Sequence, residues 1–183
     1  HKEYRRQRQM CIRDSYDAGP IELSIIFEEF GKHLVVEPYL SNIVMSGSLL
    51  ESTDTDVSKE LINNIISGEK QVSVAFSEPD NGYKFHEISC SVVNNKINGT
   101  KSIVLNAEFA DKFLVYLKNE NSNALYLIDA NTPGLSINSF NTIDGSNCGD
   151  LHFEDVSTEN AVILLTGDDA TQAIDKMLDL SCL

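Results

Sequence analysis

The chain has 183 residues, with 14 Lys+Arg against 28 Asp+Glu, a formal net charge of −14, 42% hydrophobic residues and no Trp. That acidity argues against nucleic acid and anionic membrane as partners, because phosphates select basic faces; no apolar run approaches the ~20 residues that cross a bilayer. Cys11, Cys90, Cys148 and Cys182 are widely spaced with no C-x-x-C pair, which fits neither a zinc site nor a disulfide scaffold and points to a reducing cytoplasm.

Residues 1–15 differ in composition from everything after them. Lys2, Arg5, Arg6, Arg8 and Arg13 stand against Glu3 and Asp14, and no Arg follows Arg13. The stretch lacks the apolar centre of a secretory signal. It reads as a non-native leader, such as translated adapter DNA, in preference to a targeting helix or a nucleic-acid arm. The chain opens without Met and closes inside a helical pattern, and so reads as a fragment at both ends.

From Pro20 the period is helical. Pro20 suits a first turn, Ile21, Ile25, Ile26, Phe27 and Phe30 form one apolar stripe, and Gly31 is the expected stop. Val35-Val36-Glu37-Pro38 forces an extended step. A second helix is expected over Tyr39–Leu50. A third follows over Val57–Ile66, with Leu61, Ile62, Ile65 and Ile66 inward and Gly68 at its end.

At Gln71 the period switches to two. Strands are expected at Val72–Phe76, Ile88–Val93, Ile97–Leu105, Phe113–Leu117, Ala124–Ile128, Leu135–Ile137, Cys148–Phe153 and Ala161–Leu164, with a turn at Asn94-Asn95. From Asp168 the pattern is helical again, with Ala173, Ile174, Met177 and Leu178 as its stripe. Helices, then antiparallel strands, then a further helix make an α+β fold with segregated layers: an N-terminal helical segment, a middle antiparallel β-barrel and the start of a C-terminal helical bundle. The expected divisions are 1–15, 16–70, 71–166 and 167–183.

Several phrases then fall into a familiar order. Glu28-Glu29-Phe30-Gly31-Lys32 is followed by Val36-Glu37-Pro38-Tyr39-Leu40, by Phe76-Ser77-Glu78-Pro79-Asp80-Asn81-Gly82, by Asn98-Gly99-Thr100-Lys101-Ser102 and by Ala110-Asp111-Lys112. Together they resemble the acyl-CoA dehydrogenase family, the third phrase resembling its flavin motif (T/S)EPxxGS and the fourth its NGxK turn. Asp129-Ala130-Asn131-Thr132-Pro133-Gly134-Leu135 with Thr142-Ile143-Asp144-Gly145 is similar to the small-subunit-type branch, whose members pair with a second dehydrogenase-like chain.

The resemblance implies FAD, an acyl-CoA substrate undergoing α,β-dehydrogenation in fatty acid metabolism, and electrons passed to an electron-transfer flavoprotein. It implies a homo-oligomer or a second acyl-CoA dehydrogenase-like chain as partner. It assigns Phe76, Ser77, Ile103 and Leu105 to the flavin and Gly82 and Tyr83 to the substrate. The catalytic base, a Glu, is expected in a C-terminal bundle that the sequence does not contain, so the chain alone is expected to be inactive.

Tyr83 stands where the family usually has a Ser. Ile103 and Leu105 stand where active members often place an aromatic residue and a hydroxyl, and an aliphatic side chain cannot hydrogen-bond the flavin. This favours a second reading, a non-catalytic small subunit whose partner performs the reaction. A third is an unrelated β-barrel binding module with a helical cap. His33, His86 and His152 show no metal-ligand spacing, there is no G-x-S-x-G elbow, and Gly145–Gly149 is not a phosphate loop.

Overall fold

The computed structural model describes residues 20–182; the basic leader lies outside them. α1 (Pro20–Lys32) is followed by a π-helical turn (Leu40–Met45) that runs into α2 (Ser46–Glu51), and then by α3 (Asp56–Ser67). The strands are β1 (Val72–Ala75), β2 (Ser91–Val93), β3 (Lys96–Leu105), β4 (Lys112–Asn119), β5 (Ser122–Asp129), β6 (Leu135–Asn141), β7 (Asn147–Ser157) and β8 (Ala161–Thr166), and α4 (Gly167–Ser181) closes the chain.

The boundaries of α3 have local causes. The Thr55 side chain accepts a hydrogen bond from the Ser58 amide at 3.1 Å, and Gly68 leaves the helix at φ 78. α1 departs from expectation. It runs through Gly31, and the non-glycine Leu34 takes the left-handed turn at φ 50. Its only buried residue is Leu23, while Ile21 and Ile25 are 71% and 54% exposed; Ile26, Phe27 and Phe30 are partly covered.

The strands form one mixed sheet in the order β6-β7-β3-β2-β4-β5-β8, with β1 as a branch on β4. The α+β layering is as expected, but the sheet is mixed and, among the described residues, does not close into the expected antiparallel β-barrel. No pairing joins edge strands β6 and β8, and both β1 and β2 run parallel to β4. A period of two states which residues share a face but not which strand lies alongside, so neither closure nor direction was readable from it.

β1 lies opposite Lys112–Val115 and β2 opposite Lys118–Asn119. They are two halves of one interrupted strand, and residues 76–90 leave the sheet between them, over Tyr116 and Leu117. At the start of β1 the Val72 backbone is satisfied by side chains of the π-helical turn and of the first residue of α2. Asn42 Oδ1 accepts from the Val72 amide at 2.8 Å, and the Ser46 hydroxyl donates to the Val72 carbonyl at 2.8 Å.

Two cores follow from strand alternation. Val72, Val74, Leu114, Tyr116, Leu125 and Leu127 face the helices, where Leu49, Leu61, Ile65, Ile174 and Met177 cover them. Phe113, Val115, Leu117, Tyr126 and Ile128 face the other way and meet Ile97, Val104, Leu151 and Phe153, because the sheet curls over itself. Each fully buried side chain of this size contributes about 1.5–3 kcal/mol. The Asn94-Asn95 turn between β2 and β3 forms as expected, both residues taking positive φ (51 and 60).

Candidate functional site

The segment leaving β1 runs beside β3, the Ser102 amide donating to the Ser77 carbonyl at 2.9 Å. Phe76 and Leu105 both pack against the helix-side core. The register of β3 against β7 shifts between Lys101 and Val104. In that bulge Ile103 takes φ 53, a conformation unfavourable for a β-branched residue. Its amide donates to Asp150 Oδ1 at 3.1 Å, and its side chain is turned out and 60% exposed.

Gly82 and Tyr83 lie further along the excursion. Gly82 takes φ 54, and Tyr83 is 95% exposed. An edge-on aromatic row ties them to the sheet: Tyr83 meets Phe85 at a centroid distance of 6.4 Å, and Phe85 meets Phe76 at 5.2 Å. The structure thus joins Phe76, Ser77, Gly82 and Tyr83 through one segment, sets that segment against β3, and presents Ile103 on a bulge of the same strand.

Glu78 and Lys101, outside the residues expected at the site, hold this arrangement. Lys101 Nζ contacts Glu78 Oε1 at 2.7 Å, with side-chain exposures of 0% and 2%. The same ammonium donates to the Phe76 carbonyl at 3.3 Å. Glu78 also accepts from the Ser89 amide at 2.9 Å, from the Ser89 hydroxyl and from the Cys90 amide at 3.1 Å. Burial alone would raise the Glu78 carboxyl, but the Lys101 charge and the Lys101 and Ser89 hydrogen bonds hold it below its ordinary value. Burial pulls the Lys101 ammonium down against the attraction of Glu78. The buried Cys90 thiol is pushed up to about 11, chiefly by burial, and is therefore unreactive. The available signal was a single charge in each strand region, Glu78 just past Val72–Phe76 and Lys101 within Ile97–Leu105.

His86 was also passed over. Its Nδ1 lies 3.0 Å from the Tyr116 hydroxyl and its Nε2 lies 2.9 Å from Asp175 Oδ1 on α4. Asn123 donates to the same Tyr116 oxygen at 2.8 Å, and Thr171 Oγ1 is 3.2 Å from it. The excursion is therefore fastened to α4 as well as to β3. Its sequence spacing gave no sign of this, because Asp175 is supplied by an element far along the chain.

The family model described as acyl-CoA dehydrogenase, middle domain, matches residues 73–156. Residues 73–156 are thus similar to an acyl-CoA dehydrogenase middle domain. No curated protein matches the chain. Among solved structures, it is similar to glutaryl-coenzyme A dehydrogenase in its glutaryl-CoA complex, at 19% identity over 99% of this chain and 48% of that one, TM-score 0.77. It is similar to a chain of the ChsE4-ChsE5 complex from Mycobacterium tuberculosis, at 18% identity over 98% of this chain and 50% of that one, TM-score 0.75. It is also similar to the FAD complex of acyl-CoA dehydrogenase from Bacillus anthracis, at 17% identity over 98% and 35%, TM-score 0.75. The chain spans about half the length of these structures or less.

The middle domain offers a partial fit for FAD. Among the described residues the Ser77 amide and hydroxyl show no hydrogen-bond partner, and the Ser77 carbonyl is bonded to Ser102, the residue before the exposed Ile103. Carbonyl-rich ring edges accept from such donors, and aliphatic surface suits a ring face. No Arg follows Arg13, and seven of the nine later lysines, Lys32, Lys59, Lys70, Lys84, Lys96, Lys101 and Lys112, pair with carboxylates, which leaves Lys118 and Lys176 outside these ion pairs. Among the described residues no helix is long and apolar enough to cross a membrane, and no group of His, Cys, Asp and Glu could hold a metal ion.

Proposed function

We propose that this chain is part of a flavin-dependent acyl-CoA dehydrogenase and supplies the sheet-side wall of its FAD and acyl-CoA site. The observation that carries the reading is the Ser77 amide and hydroxyl, without a hydrogen-bond partner among the described residues, on a segment held against β3 at Ser102, next in sequence to the exposed Ile103. FAD, when bound, would accept the hydride of α,β-dehydrogenation. The chain's own residues bind and orient: Ser77 donates to the ring edge, Phe76, Ile103 and Leu105 supply apolar surface, and Gly82 and Tyr83 border the thioester. None of these residues is assigned the role of catalytic base.

A second dehydrogenase-like chain, or a further copy of this one, completes the assembly, and an electron-transfer flavoprotein takes the electrons. The free thiols of Cys90, Cys148 and Cys182 suit a reducing cytoplasm.

The aliphatic pair Ile103 and Leu105, with Tyr83 in place of a Ser, favours a second reading in which this subunit keeps the fold and interface while its partner performs the reaction. The full-length protein, produced with its partner chain, is expected to be yellow and to reduce an electron acceptor with an acyl-CoA. A colourless, inert complex rejects both readings, and stoichiometric FAD on this subunit alone rejects the second.

A further inference from the structure

The buried Glu78–Lys101 pair and its hydrogen bonds span three separate pieces of chain: the exit from β1, the middle of β3 and the approach to β2. Burying an ion pair brings little net stability, since desolvation offsets most of the attraction. Its effect here is geometric. The ammonium has one carboxylate and one carbonyl as partners, and that carbonyl belongs to Phe76, immediately before the unclaimed Ser77 amide. Fixing the Phe76 carbonyl fixes the peptide plane that carries the Ser77 N–H. The Ser102–Ser77 bond then holds the other side of the residue.

We propose that Glu78 and Lys101 act as positioning residues, a buried ionic clamp that aims the Ser77 amide and hydroxyl at the flavin ring edge. This rests on the flavin reading above. The clamp itself touches no ligand: Lys101 works through the Phe76 carbonyl, and Glu78 neutralises and orients Lys101. The three donors from Ser89 and Cys90 hold the carboxylate in turn, so the foot of the excursion at β2 is tied to the same point as its foot at β1.

The test uses the full-length protein with Glu78→Gln and Lys101→Met introduced together, which removes both charges and leaves neither unpaired in the interior. Its folding is checked by circular dichroism and thermal unfolding. Expected results are at least tenfold weaker FAD binding, a shifted visible band of the bound flavin, and at least tenfold faster hydrogen exchange at the Ser102 amide, with exchange at Leu114 unchanged. A folded variant with unaltered exchange at Ser102 overturns the clamp. A variant with faster exchange but unaltered FAD affinity and spectrum reduces it to a structural pair and overturns the positioning role. If the unaltered protein takes up no FAD, the flavin reading itself fails, and exchange at Ser102 alone then decides whether the clamp exists. Should the double variant not fold, Ser89→Ala removes one donor from the carboxylate. A two- to fivefold increase in Ser102 exchange supports the clamp, and no change overturns it.

Discussion

Glu78 and Lys101 are sites where neutralising one side chain strands the other charge in the interior. Glu78→Gln or Lys101→Met alone should lower stability by about 3–5 kcal/mol, and the pair together by less than the sum, measured by urea unfolding. The sign of the pH effect follows from the depressed carboxyl. Between the folded value and the ordinary 4.5, the unfolded chain binds more protons. The stability due to Glu78 is complete above about pH 4.5 and is lost as pH falls through the lower, folded value. Glu78→Gln should therefore flatten the acid limb of the stability–pH curve, which a urea series from pH 3 to 7 would read.

Gly99 and Ile103 are opposite cases of positive φ. Gly99, at φ 138, lies against Cys90, and an added Cβ would stand 2.6 Å from the Cys90 Cα. Gly99→Ala should cost ~2 kcal/mol or more. Ile103 takes positive φ without glycine's freedom, so Ile103→Gly should relieve ~1 kcal/mol of strain and raise the thermal midpoint, while weakening flavin uptake by removing apolar surface. The sequence made Asn94-Asn95 legible as a turn because Asn tolerates this region; Ile103 and Leu34 carry no such mark, and tertiary constraint alone places them there.

Among the elements, the excursion over residues 76–90 is fastened to α4 by His86, whose partners Tyr116 and Asp175 come from β4 and α4. Tyr116→Phe should leave Asn123 without its acceptor and cost about 1–2 kcal/mol. Asp175→Ala should speed proteolytic cleavage within 79–87 while leaving the strands protected, as limited digestion followed by mass spectrometry would show. α3, β4 and β5 were legible because their apolar positions repeat at 3.6 or 2 and their ends carry Thr55, Gly68 and polar loops. α1 was the exception. Its stripe of Ile and Phe has the right period, yet Ile21 and Ile25 face solvent among the described residues, since periodicity says that a face is apolar but not that a neighbour covers it.

For the whole molecule, a net charge of −14 keeps copies apart at neutral pH, and the sequence pI is about 4.5. Near that pH the repulsion vanishes and the exposed apolar side chains of Ile21, Ile25, Leu34 and Val36 are left to drive association. Light scattering should rise sharply there, and Ile25→Glu with Val36→Glu should suppress it. The order of helices, strands and helix was legible in the chain. The sheet's neighbours were not, because pairing is set by long-range packing and by side chains such as Asn42 and Ser46 that finish the edge of β1.

β1 and β2 stand in line on the same side of β4 and run in the same direction. Whatever lies between them begins and ends on one fixed rail, so its length and chemistry can change without altering the register of any strand. That makes 76–90 an interchangeable cassette, grafted between two halves of a single strand. An insert attached in this way can be rewritten while the strand scaffold stays the same.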